Sequence, residues 1–154
     1  MGGNMSDRGL RTLGLNALCM ILAGMFLGGV PLIMVVVQAA YHQAPMFNPG
    51  ADYRGWMMAH LEGLFNGLLV IGVGAVCRIG TMPPAREKIL VPALLIGGWG
   101  NTVAAILAPV FGVRGMVFDG SAANNVVAGL FTVALLASVV ALASAIRHLV
   151  SAPV

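Results

Sequence analysis

Leu13-Gly-Leu-Asn-Ala-Leu-Cys-Met-Ile-Leu-Ala-Gly-Met-Phe-Leu-Gly-Gly-Val-Pro-Leu-Ile-Met-Val-Val-Val-Gln-Ala-Ala40 carries no charged side chain from end to end. As a helix, a run of this length crosses a hydrocarbon core of about 30 Å, with residues to spare for tilt or for a kink at Pro31. It is too long for the apolar core of a signal peptide and has no convincing cleavage site before the next apolar stretch. Further apolar runs follow at about 56–77, 89–110 and 126–146, each bounded by charged or turn-forming residues. All are expected to be helical, because open strands leave backbone groups unsatisfied in lipid and no strand-like alternation suggests a barrel. The expected fold is an all-α integral membrane protein, a four-transmembrane-helix bundle forming one domain over residues 1–154.

Composition points the same way. The 154 residues are 59% hydrophobic and 8% charged, whereas soluble domains carry about a quarter charged residues. That excludes an ordinary water-facing surface and leaves no length for a separate soluble domain. Eight Lys and Arg against five acids give a net charge of +3, but the bases occur singly between the apolar runs. Without a basic stripe or interleaved aromatics, nucleic acid is not an expected partner.

The bases instead report topology. Arg8, Arg11, Arg78, Arg86, Lys88 and Arg147 fall on one side of a four-span chain, with Arg54 and Arg114 opposite, beside Asp52 and Asp119. Both termini are therefore expected in the cytoplasm, in a bacterial inner membrane. Cys19 and Cys77 lie far apart in apolar surroundings and are expected as buried free thiols. The opening Met-Gly-Gly-Asn-Met-Ser formally fits a myristoylation pattern, but four spans gain nothing from a weak lipid anchor.

Chemistry concentrates where the second run opens, at Gly55-Trp-Met-Met-Ala-His-Leu-Glu-Gly-Leu-Phe-Asn-Gly67. His60, Glu62 and Asn66 must enter lipid there, and an unpaired ionisable group costs roughly 2.5 to 3.5 kcal/mol on insertion scales. At about 100° per residue, Trp56, His60, Gly63, Gly67 and Gly74 share a stripe, so a histidine stands on a glycine-lined face. Stripes such as Gly24 to Gly28 and Gly63 to Gly67 ordinarily mean close helix packing. A bare glycine surface beside a histidine also suits a flat ligand with iron at its centre. Glu62 and Asn66, one helical turn apart, form either an interhelical hydrogen-bonding pair or part of a site. Glu62 lies more than 100° from His60 around the helix and is equally suited to a subunit contact.

The third run contains Ile96-Gly-Gly-Trp-Gly-Asn101, with Gly97, Gly98, Ala104, Ala105 and Ala108 near the phase of Asn101. Asn101 is either polar glue between helices or, with Asn66, a convergent polar group in an apolar pocket. His148 is expected at the membrane interface, and His42 at most at a pocket mouth. Zinc or di-iron spacings, a Ser-His-acid set and a phosphate-cradling loop are all absent from the sequence. The rival function is a small proton-coupled multidrug-type transporter working through Glu62. Against it, a histidine and glycines accompany that acid, where lipophilic cations would want aromatics.

Gly-Trp-x-x-Ala-His-x-x-Gly-x-x-Asn-Gly over Gly55 to Gly67, with Gly-Trp-x-Asn over Gly98 to Asn101, resembles the small four-helix membrane isomerases. That group includes styrene oxide isomerase and, more distantly, hydroxylaminobenzene mutase. The resemblance implies a homotrimer in membrane lipid holding haem b between neighbours. It places His60 on the iron, with Asn66 lining the pocket. The shared helical stripe adds Trp56, Gly63 and Gly67 as expected cofactor-binding residues, and Glu62 and Asn101 join Asn66 as the expected catalytic set. It implies ferric iron acting as a Lewis acid on a small lipophilic aromatic substrate, with rearrangement and no net redox. Styrene oxide isomerases carry an acid just before the Gly-Trp pair and a tyrosine four residues after the asparagine, where this chain has Gly97 and Ala105. On the likeness of the motif wording, conversion of an arylhydroxylamine to an aminophenol is expected slightly ahead of conversion of an aryl epoxide to an aldehyde. Glu62 would then serve as a nearby acid or base.

Overall fold

The computed structural model describes residues 5–41, 53–80 and 82–151. Its helices are α1 (Asp7–Ala23), which continues through a π-helical turn (Gly24–Gly29) into α2 (Val30–Ala40), then α3 (Tyr53–Val76), α4 (Pro84–Phe111) and α5 (Ala122–Ser151). Among the described residues four helical segments, counting Asp7–Ala40 as one, are long and apolar enough to cross a membrane. The expected all-α bundle is the observed fold. Its helices extend past the expected apolar limits, because the turns bearing Arg8, Arg11 and Arg147 stay helical beyond the hydrocarbon.

Local chemistry fixes the helix ends. Ser6 caps α1 by accepting from the Gly9 N–H at 3.0 Å. The Glu87 carboxylate accepts from the Ser6 N–H at 3.0 Å and from the Ser6 hydroxyl, which ties the first helix to the start of α4. At the far end of α4, Gly112 adopts φ 65°, and the Gly112 and Val113 N–H groups return to the Pro109 and Ala108 carbonyls. A left-handed residue closing a helix in this way favours glycine.

Pro31 is associated with something other than a simple kink. The turn before it widens to π geometry over Gly-Met-Phe-Leu-Gly-Gly, and the helix runs on into α2 through Pro31; a π turn is one way a continuous helix accommodates the hydrogen bond that proline cannot donate.

The third span is the most buried of the four. A core of Leu13, Met20, Val70, Cys77, Leu90 and Leu94 joins α1, α3 and α4. A smaller core of Ala104, Ala108 and Val127 lies toward the other end. Large apolar side chains such as Phe26, Phe65, Leu135 and Ile146 point outward, as a lipid-facing surface requires. The up-and-down course gathers six bases, Arg8, Arg11, Arg78, Arg86, Lys88 and Arg147, at one end, with Arg54 and Arg114 at the other.

Candidate active site

Glu62, Asn66 and Asn101 meet between α3 and α4. Asn66 follows Glu62 by one turn, and its Nδ2 donates to the Glu62 carbonyl at 2.7 Å and to Glu62 Oε2 at 3.1 Å. Asn101 Nδ2 donates to the same Oε2 at 2.6 Å and approaches Asn66 Oδ1 at 3.5 Å. Thr102 Oγ1 lies 3.5 Å from Asn66 Nδ2 and is fully buried. The two amides hold one carboxylate oxygen, and Oε1 has no hydrogen-bond partner among the described residues. The result is an acid fixed in orientation with one oxygen still available for chemistry. Thr102 escaped the sequence reading because a threonine in an apolar helix commonly bonds its own backbone. Its adjacency to Asn101 was the available signal.

His60 faces the other way. Its Nδ1 lies 3.1 Å from the Gly24 carbonyl oxygen, where the π turn begins. A carbonyl only accepts, so Nδ1 is the donor, and the tautomer this selects carries its lone pair at Nε2. Fixing the tautomer through the far nitrogen is how proteins prepare a histidine to ligate a metal. The ring is seated against the first span: a Cβ at Gly29 would stand 2.9 Å from His60 Nδ1, and one at Gly28 would stand 2.5 Å from the His60 backbone nitrogen. His60 and Glu62, two residues apart, project about 160° apart around α3. The structure therefore brings Glu62, Asn66 and Asn101 together and leaves His60 outside their cluster.

The glycine face of the second span is filled. A Cβ on Gly63 would collide with Gly24 Cα, and one on Gly67 would reach Ile21 Cγ1 at 2.5 Å. Both glycines therefore serve close packing with the first span, and the bare surface expected for a flat cofactor is covered within the subunit. Trp56, one turn before His60, is buried. At Gly97 a Cβ would collide with Ser138 Oγ on α5 and stand 3.2 Å from the Ser138 backbone nitrogen, so a side chain there requires the serine hydroxyl to turn away.

Other expectations fare differently. His148 is not an exposed interfacial residue: it is 1% exposed, and its Nε2 lies 2.9 Å from the Ile79 carbonyl. α5 continues through it and packs it under the α3–α4 turn. Cys77 is a buried free thiol as expected, whereas Cys19 is free but exposed. His42 and Asp52 lie outside the described residues.

A cavity of about 480 Å³ opens at the end bearing Arg54 and Arg114, and its walls include Met58, Ala105, Ala108 and Phe131. Met58 and Ala105 are each one helical turn from Glu62 and Asn101, so the cavity floor leads toward the polar cluster. Ala105 contributes only a methyl group to its wall. Among the described residues no three His, Cys, Asp or Glu gather to hold a bare metal ion. A haem iron, with its four porphyrin nitrogens, needs only one or two axial ligands from protein, and His60 Nε2 has the right chemistry.

The sequence model of the styrene oxide isomerase family matches residues 10–150. No curated protein matches, and no solved structure does.

Proposed function

The chain belongs to the styrene oxide isomerase family, and we propose on that premise that it is a haem-dependent membrane isomerase acting on a small lipophilic aromatic epoxide. The observation that carries the proposal is the His60 Nδ1 to Gly24 carbonyl contact at 3.1 Å, which leaves Nε2 as the free ligand atom. His60 would hold ferric haem b there, and the iron would supply a Lewis acid for the substrate oxygen. The reaction is internally balanced. The benzylic C–O bond breaks, a hydrogen migrates with its electron pair to the adjacent carbon, and the oxygen stays as a carbonyl. No oxidant or reductant enters.

The chain's own contribution is positioning and charge. Asn66 and Asn101 fix Glu62, and a carboxylate placed near the benzylic carbon stabilises the positive charge developing there. Because His60 and Glu62 point to opposite sides of α3, one substrate is reached by both only across a subunit boundary. A homotrimer with its cofactor between neighbours supplies such a boundary, and the outward apolar side chains are compatible with it. The six-base end supports, through the positive-inside rule, a reading with both termini in the cytoplasm, which goes with the proposed bacterial inner-membrane location.

A second reading, rearrangement of an arylhydroxylamine to an aminophenol, is favoured by Gly97. This position carries no acid here, and it packs closely against Ser138. The family match puts the epoxide first. The test is an absorption spectrum of the purified protein, expected to contain a Soret band that is lost in His60→Ala, followed by turnover without added reductant. Styrene oxide and phenylhydroxylamine are offered in turn. A colourless wild-type preparation that shows substrate-driven proton flux overturns the proposal in favour of a transporter.

A further inference from the structure

The cavity at the Arg54 and Arg114 end has a charge pattern that rearrangement of a neutral aromatic does not explain. Its volume of about 480 Å³ falls within the range of about 300–1,000 Å³ typical of small-molecule sites. Met58, Ala105, Ala108 and Phe131 make its walls apolar, while two guanidinium groups stand on its lining. Neither arginine forms an ion pair or hydrogen bond with another described residue. Asp119, the acid nearest Arg114 in sequence, instead accepts from the Ser121 N–H at 3.0 Å through Oδ1, and Asp52, two residues before Arg54, lies outside the described residues. Two exposed arginines with no acidic partner among the described residues, set beside an apolar wall, are complementary to an anion with an apolar body. The planar donor fork of Arg suits a carboxylate in particular.

The inner end of the cavity fixes which way such a ligand lies. Glu62 stands one turn below Met58, and Arg54 lies eight residues before Glu62, about 12 Å along the helix axis at 1.5 Å per residue. A ligand carboxylate is repelled by Glu62 and attracted by the arginines, so its reactive end is directed inward to Glu62, Asn66 and Asn101. We propose that Arg54 and Arg114 select aromatic substrates carrying a carboxylate at the end remote from the reacting group. This assignment rests on the isomerase reading of the Glu62 cluster and adds a substrate class to it.

An anionic headgroup on an apolar body also describes a phospholipid, so the experiment separates the two sources. The protein is reconstituted in phosphatidylcholine nanodiscs, and binding of 4-vinylbenzoate and its neutral isostere 4-vinylbenzamide is measured by calorimetry. The benzoate is expected to bind about tenfold more tightly, and Arg54→Gln or Arg114→Gln is expected to remove that preference. Equal affinity of the wild type for both probes, or a preference that survives both substitutions, overturns the assignment. So does loss of benzoate binding when phosphatidylglycerol replaces part of the lipid, because the site is then a lipid site. Neither probe can rearrange. Intact selective binding with no turnover of styrene oxide therefore counts against the isomerase reading alone, and turnover without selective binding counts against the anion site alone.

Discussion

Glu62 carries two amide hydrogen bonds on one oxygen and none on the other among the described residues, and that asymmetry is testable. Glu62→Gln keeps the size and one acceptor oxygen but removes the charge. It is expected to lower turnover by about 10²-fold, in the range of a lost acid–base or charge-stabilising group, with the Soret band unchanged. An equal loss of haem and activity would make Glu62 structural. The residue types of the site were legible in the sequence because ionisable and amide groups inside an apolar run are costly and therefore conspicuous. Their partition was not. Helical phase separated Glu62 from His60, but only packing showed that Asn101 comes from α4 to complete the Glu62 side while the first span supplies the histidine's acceptor.

At the level of the helix, the π turn and the glycine stripe form a single joint. Gly24, Gly28 and Gly29 let the first span approach α3 until backbone meets backbone, and the same approach delivers the Gly24 carbonyl to His60. Gly29→Ala introduces a Cβ 2.9 Å from the imidazole nitrogen. It is expected to shift or weaken the Soret band and to cost about 1–3 kcal/mol in stability through overpacking. Gly72→Ala is the control: its added Cβ meets nothing within 4 Å, so its thermal midpoint in detergent is expected to hold or rise slightly. A Gly29→Ala protein with an unaltered spectrum would show that the histidine does not depend on this joint. Span number and helical type followed from apolar run length alone. The π turn did not, because Pro31 and the glycines on their own equally suit a tilted or kinked helix.

For the whole molecule, the opposed faces of α3 make a prediction about assembly. His60→Ala and Glu62→Gln, each defective alone, are expected to regain activity when co-assembled in one oligomer, since a boundary between subunits can then pair an intact His60 with an intact Glu62. Activity of the mixed oligomer no higher than that of the singly substituted proteins would confine the chemistry to one subunit. Mass measurement of the nanodisc-embedded complex checks the trimer independently. Orientation and assembly were only partly legible: the bases sort into two ends by counting spans, whereas subunit contacts depend on surface shape that no periodicity encodes.

The six-base end is held by side chains from separate segments. Glu87 grips Ser6, the Arg86 guanidinium donates to the Ser151 hydroxyl at 2.9 Å, and His148 meets the Ile79 carbonyl. These clasps join the start of the first helix, both sides of the α3–α4 turn and the end of the last helix. The opposite end is braced differently, inside one connection: the Gly115 N–H donates to Asn124 Oδ1 at 2.8 Å, and Asn124 Nδ2 donates to the Val117 carbonyl at 2.6 Å. One end of the bundle is therefore tied across separate segments, whereas the end where the arginine-lined cavity opens owes its shape to a single asparagine folded into the α4–α5 loop.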